Sequence, residues 1–390
     1  MTASGRGTRV VLVALVIAST PSLAQCQAQT PANGPSQRSP QPAPSSAVVR
    51  AETFASGLDR PWGLAILPDG RMLVTERSGA LKLVERDGKV SAPLSGVPEV
   101  AARGQGGLLD VALDPRFAEN QMVYLSYSEP GDGGTAGTSV ARGRLGAAGL
   151  ENVQVIYRQV PKVSSGGHFG SRLVFGNDGT LFITQGDRFN QQPRAQELSS
   201  GIGKIVRINT DGTIPRDNPF VGRDNARPEI WSYGHRNVQA AALNPETGQL
   251  WTVEHGAAGG DELNHPEAGK NYGWPVITYG RDYSGMPIGE GTAKDGMEQP
   301  VYYWDPVIAP SGMVFYRGDR IPEWDGSILV GSMVSRSLVR LVLEDGRVAR
   351  EERYLSDLSE RIRDVQQGPD GTLFVITDSS NGRILRVVPR

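Results

Sequence analysis

From about residue 50 to its end, the chain repeats one local pattern: a turn signal, then a short run of alternating or continuous apolar positions. Leu67-Pro68-Asp69-Gly70 leads into Arg71-Met72-Leu73-Val74-Thr75, Gly176-Asn177-Asp178-Gly179 into Thr180-Leu181-Phe182-Ile183-Thr184, and Pro369-Asp370-Gly371 into Thr372-Leu373-Phe374-Val375-Ile376-Thr377. Weaker copies are Pro245-Glu246-Thr247-Gly248 before Gln249-Leu250-Trp251-Thr252-Val253, Trp324-Asp325-Gly326 before Ser327-Ile328-Leu329-Val330, and Asp114 to Asn120 before Met122-Val123-Tyr124-Leu125-Ser126. Asp-Gly favours hairpin turns because both central residues accept positive φ, so each unit predicts one hairpin. Six units over about 340 residues give roughly 57 residues per unit, somewhat more than the about 40–50 of compact propeller repeats. Radial repetition explains recurring hairpins without long helices, so the expected fold is all-β, a six-bladed β-propeller. A pair of β-sandwiches or a β-helix would show a shorter or less complex period. Insertions are uneven and largest between the fourth and fifth units. Loops from one face of a propeller meet at its central axis, which is where an active site is expected.

Composition sharpens this picture. Gly makes up 49 of 390 residues, nearly double average usage, which disfavours a helical bundle, and without a three-residue period it excludes collagen. Hydrophobic residues at 38% and charged residues at 21% fit a globular chain long enough to bury a large core. The net charge of −2 with scattered basic residues sets nucleic-acid binding aside. A single cysteine, Cys26, permits neither an intrachain disulfide nor a cysteine-based zinc or iron-sulfur site.

Residues 1–24 read as an export signal: Arg6 and Arg9 precede the apolar run Val10 to Ala18, and Ser22-Leu23-Ala24 presents small residues for cleavage. The run is too short for a stable membrane anchor. The mature chain is therefore expected to be periplasmic or secreted. Leu23-Ala24-Gln25-Cys26 also resembles a lipoprotein box except at Gln25, which leaves simple cleavage and lipid attachment at Cys26 as alternatives. Residues 25–47, rich in Pro, Gln, Ala and Ser, are expected to be a disordered spacer before a propeller domain spanning 48–390.

Polar candidates concentrate in loops. All four histidines, His168, His235, His255 and His265, fall between 168 and 265. His168 sits in a glycine-rich turn just before a strand, and the next strand ends in Gln185-Gly186-Asp187-Arg188. A bond from Asp187 to His168 would fix its tautomer and raise its basicity, as a proton-abstracting base requires. The ordinary alternatives are a structural histidine and a turn aspartate. Residues 254–264, acidic and glycine-rich, favour a hard cation such as calcium, outside the EF-hand pattern. Zinc at His235, His255 and His265 has no recognised spacing but stays open. Arg236-Asn237 and Arg361-Ile362-Arg363 offer guanidinium forks to a ligand with several carboxylates, unless they are solvated or pair with local acids. The aromatic residues Trp274, Tyr279, Tyr283, Tyr302, Tyr303 and Trp304 would stack on a flat cofactor or a sugar, or pack a core.

Gly104-Gln105-Gly106-Gly107-Leu108-Leu109-Asp110, His168-Phe169-Gly170-Ser171-Arg172-Leu173, Tyr233-Gly234-His235-Arg236-Asn237, Glu254-His255-Gly256, Asp261-Glu262-Leu263-Asn264, Asn271-Tyr272-Gly273-Trp274-Pro275 and Arg361-Ile362-Arg363-Asp364-Val365 stand in one order. In that order they resemble the soluble pyrroloquinoline-quinone (PQQ)-dependent sugar dehydrogenases, in particular the aldose sugar dehydrogenase branch related to glucose/sorbosone dehydrogenases. Seven motifs agreeing in order are far more specific than any one. The resemblance implies a six-bladed propeller that oxidises aldoses at C1 to the lactone. In it His168 would be the base, oriented by Asp187. Gln105, Arg236 and Asn237 would line the cofactor and the reacting oxygen, Arg361 and Arg363 would hold its carboxylates, and Tyr283 would lie beside it. The carbonyls of Gly256 and Ala257 would ligate Ca2+, and Glu262 and Tyr272 match a second, structural calcium site. Two departures matter. Ala257 stands where relatives often carry Pro, and Val334 replaces a lysine that contacts the cofactor, with Arg336 as a candidate substitute. Other readings are a calcium-dependent lactonase and a non-catalytic propeller scaffold. The preferred sugar, the electron acceptor (quinone, cytochrome or dye) and the choice between monomer and homodimer stay open.

Overall fold

The six turn signals occupy equivalent places. In a computed structural model of the chain, which describes residues 1–2, 37–39 and 48–390, each joins the first and second strands of one of six sheets. The proposed signal peptide, Cys26 and most of the spacer lie outside the described residues. The first sheet is Pro61–Ile66, Met72–Glu76 and Leu81–Val84, and the second is Leu108–Leu113, Met122–Pro130, Ala136–Leu145 and Leu150–Arg158. The third is Leu173–Phe175, Thr180–Thr184, Lys204–Asn209 and Ile230–Tyr233, and the fourth is Val238–Leu243, Leu250–Glu254, Asp261–Asn264 and Tyr302–Trp304. The fifth is Pro310–Phe315, Ile328–Ser332, Leu338–Glu344 and Arg347–Tyr354. The sixth is Ile362–Gln367, Leu373–Thr377 and Gly382–Pro389, completed at its outer edge by Val49–Leu58. Each first strand packs against the first strand of the next sheet, and the sixth against the first. The ring is closed, and the fold is a six-bladed β-propeller.

Local chemistry accounts for the turns. Gly179 and Gly371 take φ of 80°, and the preceding Asp178 and Asp370 each accept a backbone hydrogen bond, from Thr180 and Thr372, at 3.0 Å. The second strands are apolar nearly throughout because blades stack on both of their faces: Met72–Glu76, Thr180–Thr184, Leu250–Glu254, Ile328–Ser332 and Leu373–Thr377 are buried at every position. The core therefore lies between blades, as where Tyr316, Trp324, Leu329 and Leu338 of the fifth meet Val375 and Leu385 of the sixth. Each fully buried large apolar side chain contributes about 1.5–3 kcal/mol.

Gln37–Arg38, within the stretch expected to be disordered, pairs in parallel with Tyr302–Tyr303, and Ser39 Oγ donates to Glu351 Oε2 at 2.9 Å. The outer strand of the fourth blade offers unpaired backbone groups, which a segment of almost any composition can satisfy.

At the axis, five of the six first strands carry a register irregularity. Bulges re-aim side chains, and these bring Asp110 and Asp364 together around Arg172. Arg172 Nη1 lies 2.8 Å from Asp110 Oδ1 and 3.3 Å from Asp364 Oδ1. Gly63 and Gly312 complete the packing, since a Cβ on Gly312 would collide with Asp364 Oδ1. Hydroxyls on the second strands stitch the bulges from blade to blade. Thr75 Oγ1 accepts from Gly63 N at 2.9 Å and donates to Leu109 O; Ser126 accepts from Asp110 N at 2.9 Å and donates to Ser171 O at 2.6 Å; Thr184 accepts from Arg172 N at 2.9 Å and donates to Val238 O at 3.0 Å.

Candidate active site

Because the six turn signals close the first hairpin of each blade at one end, the loops entering the first strands and leaving the second strands gather at the other end. His168 lies in the connection 159–172 that enters the third blade, and Asp187 follows that blade's second strand. The two meet: His168 Nδ1 is 2.7 Å from Asp187 Oδ1. Asp187 is fully buried, and it also accepts from Phe189 N and from the Trp274 indole N–H, each at 2.8 Å. A carboxylate that already takes two N–H donors is an acceptor, so Nδ1 is assigned the proton and Nε2 the lone pair of the ring. Burial holds the His168 pKa below its ordinary value against the pull of Asp187, and Arg236 and Arg188 add to the lowering. A neutral imidazole with an oriented Nε2 is the form that can accept a proton.

Gln105 Oε1 accepts the His168 amide at 2.8 Å, and Asn237 Oδ1 accepts the Gly170 amide at 3.2 Å. Gln239 continues the chain, with its Nε2 donating to Asn237 Oδ1 at 3.2 Å and its Oε1 accepting from Arg363 Nη1 at 3.2 Å. Arg363 and Arg361 both reach Asp378 Oδ2 at 3.1 Å. One hydrogen-bonded network thus runs from the His168 loop to the paired arginines. Burial would raise Asp378, but Arg363 and Arg361 hold it below its ordinary value. Arg236 donates to His255 O at 3.2 Å, to Gly256 O and to Tyr283 Oη at 3.3 Å, and its guanidinium lies 5.2 Å from the centre of the Trp274 ring. Buried Nε atoms of Arg77, Arg236 and Arg363 have no partner. Burial lowers Arg363, Asp378 opposes this, and Arg361 and Arg77 push it down further. Arg77, Arg236, Arg361 and Arg363 gather here, and three of them keep a buried Nε without a partner, a donor set suited to carboxylates.

Other expected residues fall into groups. The Gly256 carbonyl is aimed at a cation, the Arg236 guanidinium, and the Gly256 amide is held by Asp261 Oδ1 at 2.8 Å. Buried Ala257 follows in the same loop. Glu262 stands directly across from Glu254 on the neighbouring strand, and burial followed by Glu254 raises its pKa to about 8. Asn264 Oδ1 beside them is buried without a partner. Glu254 is buried and Glu262 half-buried, and two carboxylates so opposed favour a proton or a cation between them. The Tyr272 phenol is already committed, donating to His265 O at 2.5 Å and accepting from Glu267 N at 3.0 Å.

Several expectations come apart. The zinc alternative does not assemble. His235 bonds Glu254 and Ser232 at 2.9 Å, His255 Nε2 lies 2.7 Å from Pro310 O, and His265 stacks on Trp251. Among the described residues no group of three or more metal-ligating side chains forms. Of the aromatic cluster, only Trp274 and Tyr283 reach the site. Tyr302 and Trp304 are core residues bonded to Glu351, and Tyr279 stacks on Tyr303. Val334 is exposed, and Arg336 is turned to Ser359 O at 3.3 Å. Arg77, Arg188, Gln239 and Asp378 were missed. The repeat register carried a signal for three of them, since Arg77, Arg188 and Asp378 all follow second strands, as Asp187 does.

The glucose/sorbosone dehydrogenase family model matches residues 58–386. The aldose sugar dehydrogenase of Escherichia coli is 49% identical over 349 residues, covering 88% of this chain and 94% of that one. The crystal structure of a soluble E. coli aldose sugar dehydrogenase in the apo form superposes with a TM-score of 0.86 at 48% identity, covering 88% of this chain and all of the other. A PQQ-bound aldose sugar dehydrogenase from Streptomyces coelicolor gives 0.73 at 29% identity, covering 89% and 100%. With family motifs, fold and matched span in agreement, the chain belongs to the glucose/sorbosone dehydrogenase family.

Proposed function

We propose that this enzyme oxidises aldose sugars at C1 to the lactone, with PQQ and Ca2+ in the axial site and His168 as the base. The observation that carries this is the His168–Asp187 pair, 2.7 Å apart, set beside Arg236, Arg361 and Arg363. Unpartnered Nε atoms on Arg236 and Arg363 fit a small molecule bearing several carboxylates. Arg361 and Arg363 would hold those carboxylates, Gln105, Arg236 and Asn237 would line the quinone, and Tyr283 would cover it. The carbonyls of Gly256 and Ala257 would take Ca2+, and Glu262 with Tyr272 would take a second, structural Ca2+. When bound, the quinone accepts two electrons as hydride from C1, and Ca2+ polarises it as a Lewis acid.

The chain's own residues do the rest. His168 Nε2 takes the C1 hydroxyl proton as the C1–O double bond forms. Asp187 stabilises the resulting imidazolium and keeps the ring from turning, and the Trp274 N–H holds Asp187 in place. Arg236, restrained by Tyr283 and the His255 carbonyl, is placed to bond the oxygen that gains charge. Export of the mature chain, on the strength of residues 1–24, is part of the same proposal.

Binding can be tested without turnover. Ca2+ and PQQ, each added to the purified protein, are expected to raise its melting temperature, because a ligand at about 100 times its Kd stabilises by about 2.7 kcal/mol. Glu262→Gln should remove most of the Ca2+ increment at sub-saturating PQQ. No thermal shift with PQQ at any Ca2+ concentration would sink the proposal.

A further inference from the structure

Arg188 is fully buried, yet no carboxylate bonds it. Its guanidinium donates to three backbone carbonyls, Gly167 at 3.0 Å, Ala136 at 2.9 Å and Ser165, and its centre lies 3.6 Å from that of the Phe169 ring. A charge taken out of water without an opposite charge bonded to it is costly, and this one is held by spending its donors on backbone carbonyls. Two of the three acceptors, Ser165 and Gly167, belong to the segment presenting His168. The third, Ala136, begins the third strand of the second blade. The segment 159–172 forms no strand or helix of its own. It is tied to the second blade by the Ala136–Val163 bridge and by Thr138 Oγ1 on Phe169 O, and Arg188 adds the bonds that fall immediately before His168. There the backbone is strained, with φ of 48° at His168 and 90° at Ser171.

We propose that Arg188 is a positioning residue for the base, clamping the backbone on the N-terminal side of His168 to the second blade so that the imidazole stays on Asp187. Adjacent residues then hold the base from two directions, Asp187 through the ring and Arg188 through the main chain. This rests on the reading of His168 as the base.

The test compares Arg188→Met and Arg188→Lys with the wild type. The first readout needs no turnover: in the apo protein, the Nδ1–H proton of His168 on Asp187 should give a resolved downfield NMR signal, lost or broadened in Arg188→Met. In the enzyme loaded with PQQ and Ca2+, kcat should fall about 10–100-fold, the scale of a displaced catalytic group. The KM for the aldose and the affinity for PQQ should change less than about threefold, because the arginines that hold ligand are untouched. Arg188→Lys keeps the charge but reaches fewer carbonyls, so it should recover part of both signals. Wild-type kcat with an unchanged imidazole signal in Arg188→Met, or in Arg188→Lys should the first not fold, overturns the proposal. So does a parallel loss of kcat, PQQ affinity and thermal stability, which would mark a general structural role. A His168→Ala enzyme with full turnover would instead defeat the base assignment, and the apo NMR signal would still decide whether Arg188 holds the ring.

Discussion

Replacing His168 by alanine is expected to lower kcat by about 10²–10⁴-fold, the usual contribution of a positioned general base, while PQQ still binds. The ring is surrounded by groups that orient it: Asp187 at 2.7 Å, the Phe189 ring with its centre 5.1 Å away, and Gln105 on its amide. None of the arginines assigned to the cofactor bonds the imidazole, so its loss should leave cofactor affinity close to wild type. Titration of the same group sets the pH dependence. A base must be neutral to act, and burial lowers the His168 pKa from 6.5. Turnover of the wild type should therefore stay level from pH 8 down past 6.5 and fall only on the acid side of that value. A steady-state pH profile of kcat/KM reads this directly. An acid limb centred above 6.5 would mean that the ring is not held as described.

Arg172→Met should be the most destabilising of the substitutions considered, by about 3–5 kcal/mol, without any loss of ligand contacts. Arg172 is the cation between Asp110 and Asp364 at the axis, and all three are buried. Removing it leaves two carboxylates facing each other beneath the site. Burial already raises Asp110 to about 6, with Asp364 raising it and Arg172 opposing. For a carboxyl whose folded pKa is raised, stability falls as pH climbs from the unfolded value through the folded one. The deficit of Arg172→Met should therefore be larger at pH 8 than at pH 5, as measured by denaturant unfolding at the two values. A deficit below about 1 kcal/mol at both would show that the axial ions are not a structural unit.

The fold was legible because its repeating signal is local. All six predicted turns join first and second strands, since Asp-Gly chemistry and strand alternation act within a few residues. His168 and Asp187 could be paired on paper for a similar reason: one precedes and the other follows the same hairpin, so both emerge at the same end of one blade. The axis was not legible. Bulges at Gly63, Asp110 and Gly312 break the alternation that pattern reading depends on, and their consequence is a contact between blades far apart in sequence. Arg188 was hidden for a different reason. Its partners are carbonyls, which every residue carries, so no side-chain pattern could mark them. For the aromatic run near Trp304, composition left stacking and core packing open, and core packing holds for Tyr302 and Trp304, which are buried against Glu351. The strand at Gln37–Arg38 was invisible because its ladder is backbone pairing and its side-chain bonds, Arg38 to Asp305 and Ser39 to Glu351, join positions far apart in sequence.

The most direct measurement is dye reduction by the purified protein reconstituted with PQQ and Ca2+, followed across several aldoses with the product identified. The account predicts reduction that requires both additions, yields the lactone and disappears in His168→Ala. No PQQ-dependent reduction with any aldose, or hydrolysis of a lactone without the quinone, would contradict it.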